Sequence, residues 1–378
     1  MYLHEHKHWT DFSWDTNRIL PLLDLARFKQ GHLFGRMAAM GPVLQQEAEL
    51  VSLTEEIVTS SAIEGEHLNR NDVRSSVASK LGISSMSDNA NAGVRSPSPA
   101  VAGAVNLIVD ATQNYRDELT AERLFSWHMS LFPGGFSGLH PITTGSYRSS
   151  GMQVVSGGIG HEKVHFEAPP ATVVPNEMNR FLAWCNEDYE PAGDYRQLIK
   201  AGIAHLWFIT IHPFDDGNGR IARALTELFL ARFDRTAQRY YSMSSYLLSH
   251  RKDYYQALET AQKSDTDITK WLEWFLNAYI ISLDESEQTL ERVLLTNSLL
   301  RTLAQVGSNK RQKDMVLRLV NGFEGVLTAK KWAKICKTSP DTALRDINDL
   351  IVKGILQKEP AGGRSASYTL AQIPKEHQ

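Results

Sequence analysis

The chain has 378 residues, 42% of them hydrophobic and 22% charged, with a formal net charge of −3. That length allows two or three domains, and the charge balance is unremarkable. Its two cysteines, Cys185 and Cys336, offer no disulfide framework, and no apolar run approaches a membrane span, so a protein of the reducing cytoplasm is expected.

Residues 1–83 read as a mostly helical region. Met1 to Leu20 is too rich in His and charge for a secretory signal. The alternation His4, His6, His8 hints at metal, but no further ligands accompany it, and a polar strand or frayed end is the plainer expectation. Residues 54–65, Thr-Glu-Glu-Ile-Val-Thr-Ser-Ser-Ala-Ile-Glu-Gly, suit a helix. They have a Thr start signal, early glutamates at the positive end and Gly65 as a stop. Ser60 and Glu64 are four apart and share a face. Residues 84–99 are poor in apolar side chains and read as a flexible connector.

Residues 100–285 hold the densest motifs. Trp127 to Phe132 and Gly145-Ser146-Tyr147-Arg148 come first. Two β-rich runs, Gln153 to Ser156 and Lys163 to Glu167, flank Gly157, Gly158 and Gly160 and predict a hairpin. Pro169 and Pro170 end it, and a helix from Val174 to Trp184 follows. Apolar helical runs at 203–211 and 221–233 enclose residues 212–223, His-Pro-Phe-Asp-Asp-Gly-Asn-Gly-Arg-Ile-Ala-Arg. A glycine-bearing loop at a helix N-terminus presents backbone N–H groups and a positive dipole end, which suits a phosphate. His212 is a general base that works near neutral pH. Asp216 is a hard oxygen ligand suited to Mg²⁺, and Gly217 and Gly219 let backbone approach a phosphate. Asn218 can donate an amide, while Arg220 and Arg223 share a helix face and can clamp a polyphosphate. The set describes attack on a nucleotide phosphate, where positioning and charge stabilisation carry catalysis.

This stretch resembles the Fic-domain signature, His-Pro-Phe-x-(Asp/Glu)-Gly-Asn-(Gly/Lys)-Arg-x-x-Arg, at every specified position. Trp127 to Phe132 and Gly145 to Arg148 are similar to two further elements of that family. The resemblance implies transfer of AMP from ATP to a Ser, Thr or Tyr hydroxyl of a target protein. His212 would be the base, and Asp216 would hold Mg²⁺ on the α- and β-phosphates. Asn218 and the amides near Gly217 and Gly219 would stabilise the α-phosphate, Arg220 the phosphate chain and Arg223 the γ-phosphate. Gly at 219 separates the chain from the Doc-like subgroup, whose Lys variant acts as a kinase. The hairpin at 153–167 would be the flap that docks the target as an added strand. Ser60-x-x-x-Glu64-Gly65 resembles the family's inhibitory motif, which implies that Glu64 pairs with Arg223 and blocks γ-phosphate placement. In some relatives the same Glu removes AMP, so de-AMPylation follows as a secondary expectation. Tyr254 and Tyr255 could lie near the adenine, although Tyr at helical spacing is commonly core.

Thr269 to Leu283 reads as an amphipathic helix closing the core, and 286–308 as a linking helix. Residues 309–372 differ in kind. Helices are expected near 311–321, 328–336 and 339–353, then two short strands around Pro360-Ala361-Gly362-Gly363-Arg364. That order resembles a winged helix–turn–helix. Residues 309–368 hold twelve Lys/Arg against six Asp/Glu, which favours nucleic acid. Asp341, Asp346 and Asp349 on the would-be recognition helix oppose groove insertion and favour a protein-contact or dimerisation module. The expected fold is therefore mainly α: a Fic helical core with a β-hairpin flap, an N-terminal helical region and a C-terminal winged helix. The expected protein is an autoinhibited adenylyltransferase using ATP and Mg²⁺. Self-modification, a homodimer and DNA binding stay open. The rivals are a nucleotide-sensing DNA-binding regulator and transfer of another nucleotide or phosphate moiety.

Overall fold

In the computed structural model the described residues are 1–83, 96–156, 163–187, 196–320, 323, 325–359 and 366–371. Most of the connector expected at 84–99, the hairpin tip with Gly157, Gly158 and Gly160, and the turn 360–364 therefore lie outside the described residues. The fold is mainly α with small two-stranded sheets. The chain divides into two compact units, residues 1–286 and 287–378.

The first unit begins with α1 (Thr16–Ala38), α2 (Pro42–Ile63) and α3 (Arg70–Leu81). Next come α4 (Pro99–Gln113), α5 (Ala121–Leu131) and the short pair β1 (Phe136–Ser137) and β2 (His140–Pro141). The hairpin β3 (Gln153–Ser156) and β4 (Lys163–Glu167) precedes α6 (Val174–Asn186), α7 (Arg196–Ile211) and α8 (Asn218–Asp234). The unit closes with α9 (Met243–Ser249), α10 (Arg251–Gln262) and part of α11 (Thr269–Gln305).

Local chemistry starts these helices where it can satisfy free backbone donors. Ser98 and Thr120 accept from Val101 N and Arg123 N at the starts of α4 and α5. At the centre α8 packs on α7 and also meets α4 and α5. Almost the whole of α8 is buried, which fits its apolar run and explains why it carries buried arginines as well. Gly103 of α4 makes the α4–α5 approach possible: a Cβ there would overlap the Ser130 carbonyl oxygen and lie 2.7 Å from its carbon.

Two expected elements change. The helix expected to start at Thr54 starts at Pro42, after Gly41, and Thr54 lies buried in its interior. Its hydroxyl donates back to Leu50 O at 2.6 Å instead of capping a new helix. The separate helices expected at 269–283 and 286–308 are one helix, α11, because no Gly or Pro interrupts the stretch.

The second unit holds α12 (Lys310–Val320), α13 (Ala329–Ile335) and α14 (Pro340–Val352), followed by antiparallel β5 (Leu356–Lys358) and β6 (Tyr368–Leu370). Its own core gathers Leu303, Met315, Trp332, Ile347, Leu350 and Leu356. Ser339 caps α14, accepting from Thr342 N, with Pro340 in the first turn.

Candidate functional site

The loop between α7 and α8 is braced from within. Phe214 N donates to Asn218 Oδ1 at 3.0 Å, and Asn218 Nδ2 donates to Phe214 O at 2.8 Å. Asn218, expected to contact phosphate, thus spends its carbonyl and one N–H on the loop, and its second amide N–H has no bond among the described residues. Phe214 is fully buried, its ring stacked 4.3 Å from that of His128. His128 Nε2 donates to Asp216 O at 3.1 Å, which holds the loop from beneath.

His212 opens the loop with a φ of +52°, a left-handed conformation that is strained for a residue with a Cβ. Its Nδ1 donates to Ile209 O at 3.2 Å, which fixes the tautomer and leaves Nε2 as the basic nitrogen. Burial pushes the imidazole pKa down to about 4, the Ile209 hydrogen bond opposes this and the Arg148 cation adds to it. The imidazole is therefore unprotonated at neutral pH.

Asp216 lies at the loop's far end. Its Oδ1 accepts from Gly217 N at 2.6 Å and its Oδ2 accepts from the Ser137 hydroxyl. No cluster of three metal-ligating side chains exists among the described residues. A single carboxylate still fits Mg²⁺, which takes one or two protein carboxylates and fills its sphere with phosphate and water oxygens. Gly217 has a φ of +78° and precedes α8, whose first turn receives no side-chain cap. A Cβ on Gly217 would press into the Phe132 ring at 2.8 Å. The amides of that first turn carry the positive end of the helix dipole toward the site.

Glu64 fills the place an anion would take. Its Oε1 accepts from Arg223 Nη2 at 2.9 Å, and Arg223 Nε donates to Ser60 Oγ at 2.8 Å. Arg223 Nη2 also donates to Ser60 O at 2.9 Å. A Cβ on Gly219 would overlap the Glu64 carboxylate and stand 3.2 Å from Arg223 Nη1, so Gly219 is what lets that carboxylate lie on the α8 terminus. Burial opposes the Arg223 charge most strongly, but the Glu64 carboxylate, with Tyr254 and Tyr255 beside it, holds the guanidinium above its usual pKa. Gly65, at φ +82°, turns the chain after α2 as its glycine requires.

The structure brings His212, Asp216, Gly217, Asn218, Gly219, Arg220, Arg223, Ser60 and Glu64 to one site. Tyr254 lies beside Arg223. Its ring is buried, its hydroxyl meets His205 Nε2 at 2.8 Å, and the ring stacks on Trp274. It backs Arg223, and the neighbouring Tyr255, 39% exposed, is the ring left open. Three partners were not read from sequence. Glu66 Oε2 accepts from Arg220 Nη1 at 2.7 Å, so both motif arginines face carboxylates from the end of α2. Ser137 covers Asp216, and Arg148 grips the backbone of the His212 turn at 2.7 Å. Only Glu66, two positions beyond Glu64, carried a local signal that could have found it.

The comparisons fit this geometry. The model of the Fic/DOC family matches residues 118–230, and a domain of unknown function, DUF4172, matches residues 2–83. The chain is 26% identical over 318 residues to a protein named protein adenylyltransferase Fic from Aedes aegypti, covering 82% of this chain and 56% of that relative. It is 32% identical over 117 residues to a protein from Xanthomonas campestris pv. campestris (strain 8004) named uridine 5'-monophosphate transferase, covering 30% of this chain and 21% of that one. The chain thus spans about half or less of the length of these relatives. A crystal structure of a Fic family protein from Desulfovibrio desulfuricans G20 superposes with a TM-score of 0.52 at 22% identity, covering 94% of this chain and 98% of that chain.

Proposed function

From the premise that residues 118–230 are a Fic/DOC-family domain, we propose that the chain is a protein adenylyltransferase held inactive by its own Glu64. The observation that carries this reading is the Glu64 carboxylate seated between Arg223 and the uncapped start of α8, a position a phosphate would claim. The acceptor hydroxyl oxygen would attack the α-phosphorus of ATP as its proton passes to Nε2 of His212. The oxygen–phosphorus bond forms, the bond to the bridging oxygen breaks and pyrophosphate leaves. The first-turn amides of α8 and the spare N–H of Asn218 face the charge that develops on the phosphate. Arg220 and Arg223 hold the phosphate chain once Glu66 and Glu64 release them. Asp216 would bind Mg²⁺, which supplies charge neutralisation on the phosphate oxygens when present.

The flap β3–β4 leaves all four β3 residues exposed, which supports docking of an extended target segment along its edge. De-AMPylation by Glu64 belongs to the same reading. Among the described residues no helix is long and apolar enough to cross a membrane, and we place the protein in the cytoplasm. We read α12–α14 with β5–β6 as winged-helix-like. The outer face of α14 shows Asp341, Leu344, Arg345, Asn348 and Val352, a single cation, which supports contact with protein more than with a nucleic-acid groove.

The test uses α-labelled ATP, Mg²⁺ and lysate with wild type, Glu64→Gly, and Glu64→Gly with His212→Ala. Label on protein, the chain itself included, from Glu64→Gly alone supports AMP transfer, the base and the inhibitor together. The relative named uridine 5'-monophosphate transferase supports a second reading with another nucleotide, and unlabelled nucleoside triphosphates competing for that labelling separate the two.

A further inference from the structure

Arg148 stands outside the signature loop, yet its guanidinium meets the backbone on both sides of the flap and at the catalytic turn. Its Nη1 donates to Ser150 O at 2.7 Å, three residues before β3, and its Nη2 to Pro169 O at 2.5 Å, two residues after β4. On the other side Nε donates to His212 O at 2.7 Å and Nη2 to Ile211 O at 3.4 Å. The backbone N–H of Arg148 adds a bond to Pro213 O at 2.9 Å. The stems also meet directly, Ala168 N donating to Met152 O at 3.0 Å.

Two further facts set this residue apart. Arg148 is 3% exposed, and among the described residues its side chain hydrogen-bonds only to backbone carbonyls. Burial lowers its pKa, with Asp215 as a weaker opposing charge. A buried cation without a bonded carboxylate is an expensive way to fill a core, and an apolar side chain would stabilise packing better. In addition, the turn it grips holds His212 at φ +52°, a conformation that persists only when its surroundings impose it. A planar fork of five donors is the side chain that can bind several carbonyls in fixed relation.

We propose that Arg148 is a positioning residue that couples target docking to the base, holding both flap stems and the His212 turn in one register. The inference rests on the adenylyltransferase reading. A target strand laid on β3 is thereby set at a fixed offset from His212 Nε2, so displacement of the flap and displacement of the base are the same event.

The experiment introduces Arg148→Lys into the Glu64→Gly chain. Lysine keeps the charge but has no planar fork. With α-labelled ATP and lysate as the acceptor pool, protein labelling falls at least tenfold. The ratio of protein-bound AMP to free AMP from hydrolysis falls at least threefold, while the Kd for ATP by calorimetry stays within twofold. Labelling within twofold of the Glu64→Gly parent overturns the proposal, as does a loss of ATP affinity in step with labelling, which marks a merely structural role. Absence of labelling by the parent itself counts against the adenylyltransferase reading, and then a second measurement decides. Native-state hydrogen exchange of the unmodified chain in mild urea follows the amides of Arg148, Ala168 and Phe214. A common opening free energy supports the clamp, and independent opening of stem and turn overturns it, even where Arg148→Lys does not fold.

Discussion

Glu64→Gly should make the protein less stable and more active at once. Arg223 has 2% of its side chain exposed and Glu64 32%. Removing one partner of a fully buried ion pair costs about 3–5 kcal/mol. Solvent reaches nearly a third of Glu64, so screening reduces this to about 1–2 kcal/mol. The remaining bonds from Arg223 to Ser60 do not neutralise it, and its Nη1 has no hydrogen-bond partner among the described residues. In calorimetric scans the first unit should melt roughly 2–8 °C lower, since each kcal/mol is worth about 2–4 °C at this size. The unpaired guanidinium is then free for phosphate, and AMP transfer should rise at least tenfold, about 1.4 kcal/mol in the barrier. ATP should raise the melting temperature of Glu64→Gly more than that of wild type. Glu64→Gln, which keeps the length and loses the charge, should fall between them. A variant that melts lower but binds ATP with unchanged Kd and labels no more protein would refute the idea that carboxylate and phosphate compete for Arg223.

Four other outcomes follow from the geometry. Gly219→Ala should displace the Glu64 carboxylate, so adding Glu64→Gly to it should give less than half the activation that Glu64→Gly gives alone; full additivity in labelling rates would count against the overlap. Glu66→Gln should free Arg220 and tighten ATP binding about two- to fivefold, roughly 0.4–1 kcal/mol, as read by calorimetry. Burial holds His205 down to about 3 and His212 to about 4, so the unfolded chain binds more protons between the ordinary value of 6.5 and those values. Their contribution to stability is fully present above pH 6.5 and is lost as pH falls to about 4 for His212 and about 3 for His205, and His205→Gln should flatten part of the fall in melting temperature over that window. Gly103→Ala should cost about 1–3 kcal/mol by forcing α4 away from α5, visible as a lower urea midpoint; an unchanged midpoint would show that the two helices yield freely.

The site was legible in sequence where its chemistry is local. Residues 212–223 are contiguous, so their order alone put histidine, carboxylate, glycines and arginines on one loop and the start of one helix. Ser60 and Glu64 were legible as a pair because four residues make one helical turn. Their helix was misjudged at its start, since Thr-Glu-Glu at 54–56 carries the chemistry of an N-terminus while the true start, Gly41-Pro42, lies twelve residues upstream. Thr54 shows why: a Thr hydroxyl serves as well for a bond back to the preceding turn as for a cap. What stayed hidden joins residues far apart. Glu66 and Arg220 are 154 positions apart, and Ser137 and Asp216 are 79 apart. Arg148 was visible as part of a short motif, but its acceptors are main-chain oxygens, which every residue possesses and no pattern of side chains reveals.

The helix that ends in Glu64 is itself part of the wall of the molecule. Leu50, Leu53, Ile57 and Ile63 of α2 are sunk in the core, and Glu56 accepts from Ser242 Oγ at 2.8 Å and Ser244 N at 2.9 Å. If Glu64 restrains the site as proposed, a restraint anchored this way would not be lifted off as a separate piece, because removing it would unmake the fold that the site needs. Release would then fall to the last turn, where a carboxylate can rotate about its own side-chain bonds while the helix stays put. Such a lock responds in the time of a side-chain hop, nanoseconds where exposed. It carries no memory of its last opening, so its state at any moment follows whatever anion, protein surface or crowding neighbour bears on that single turn.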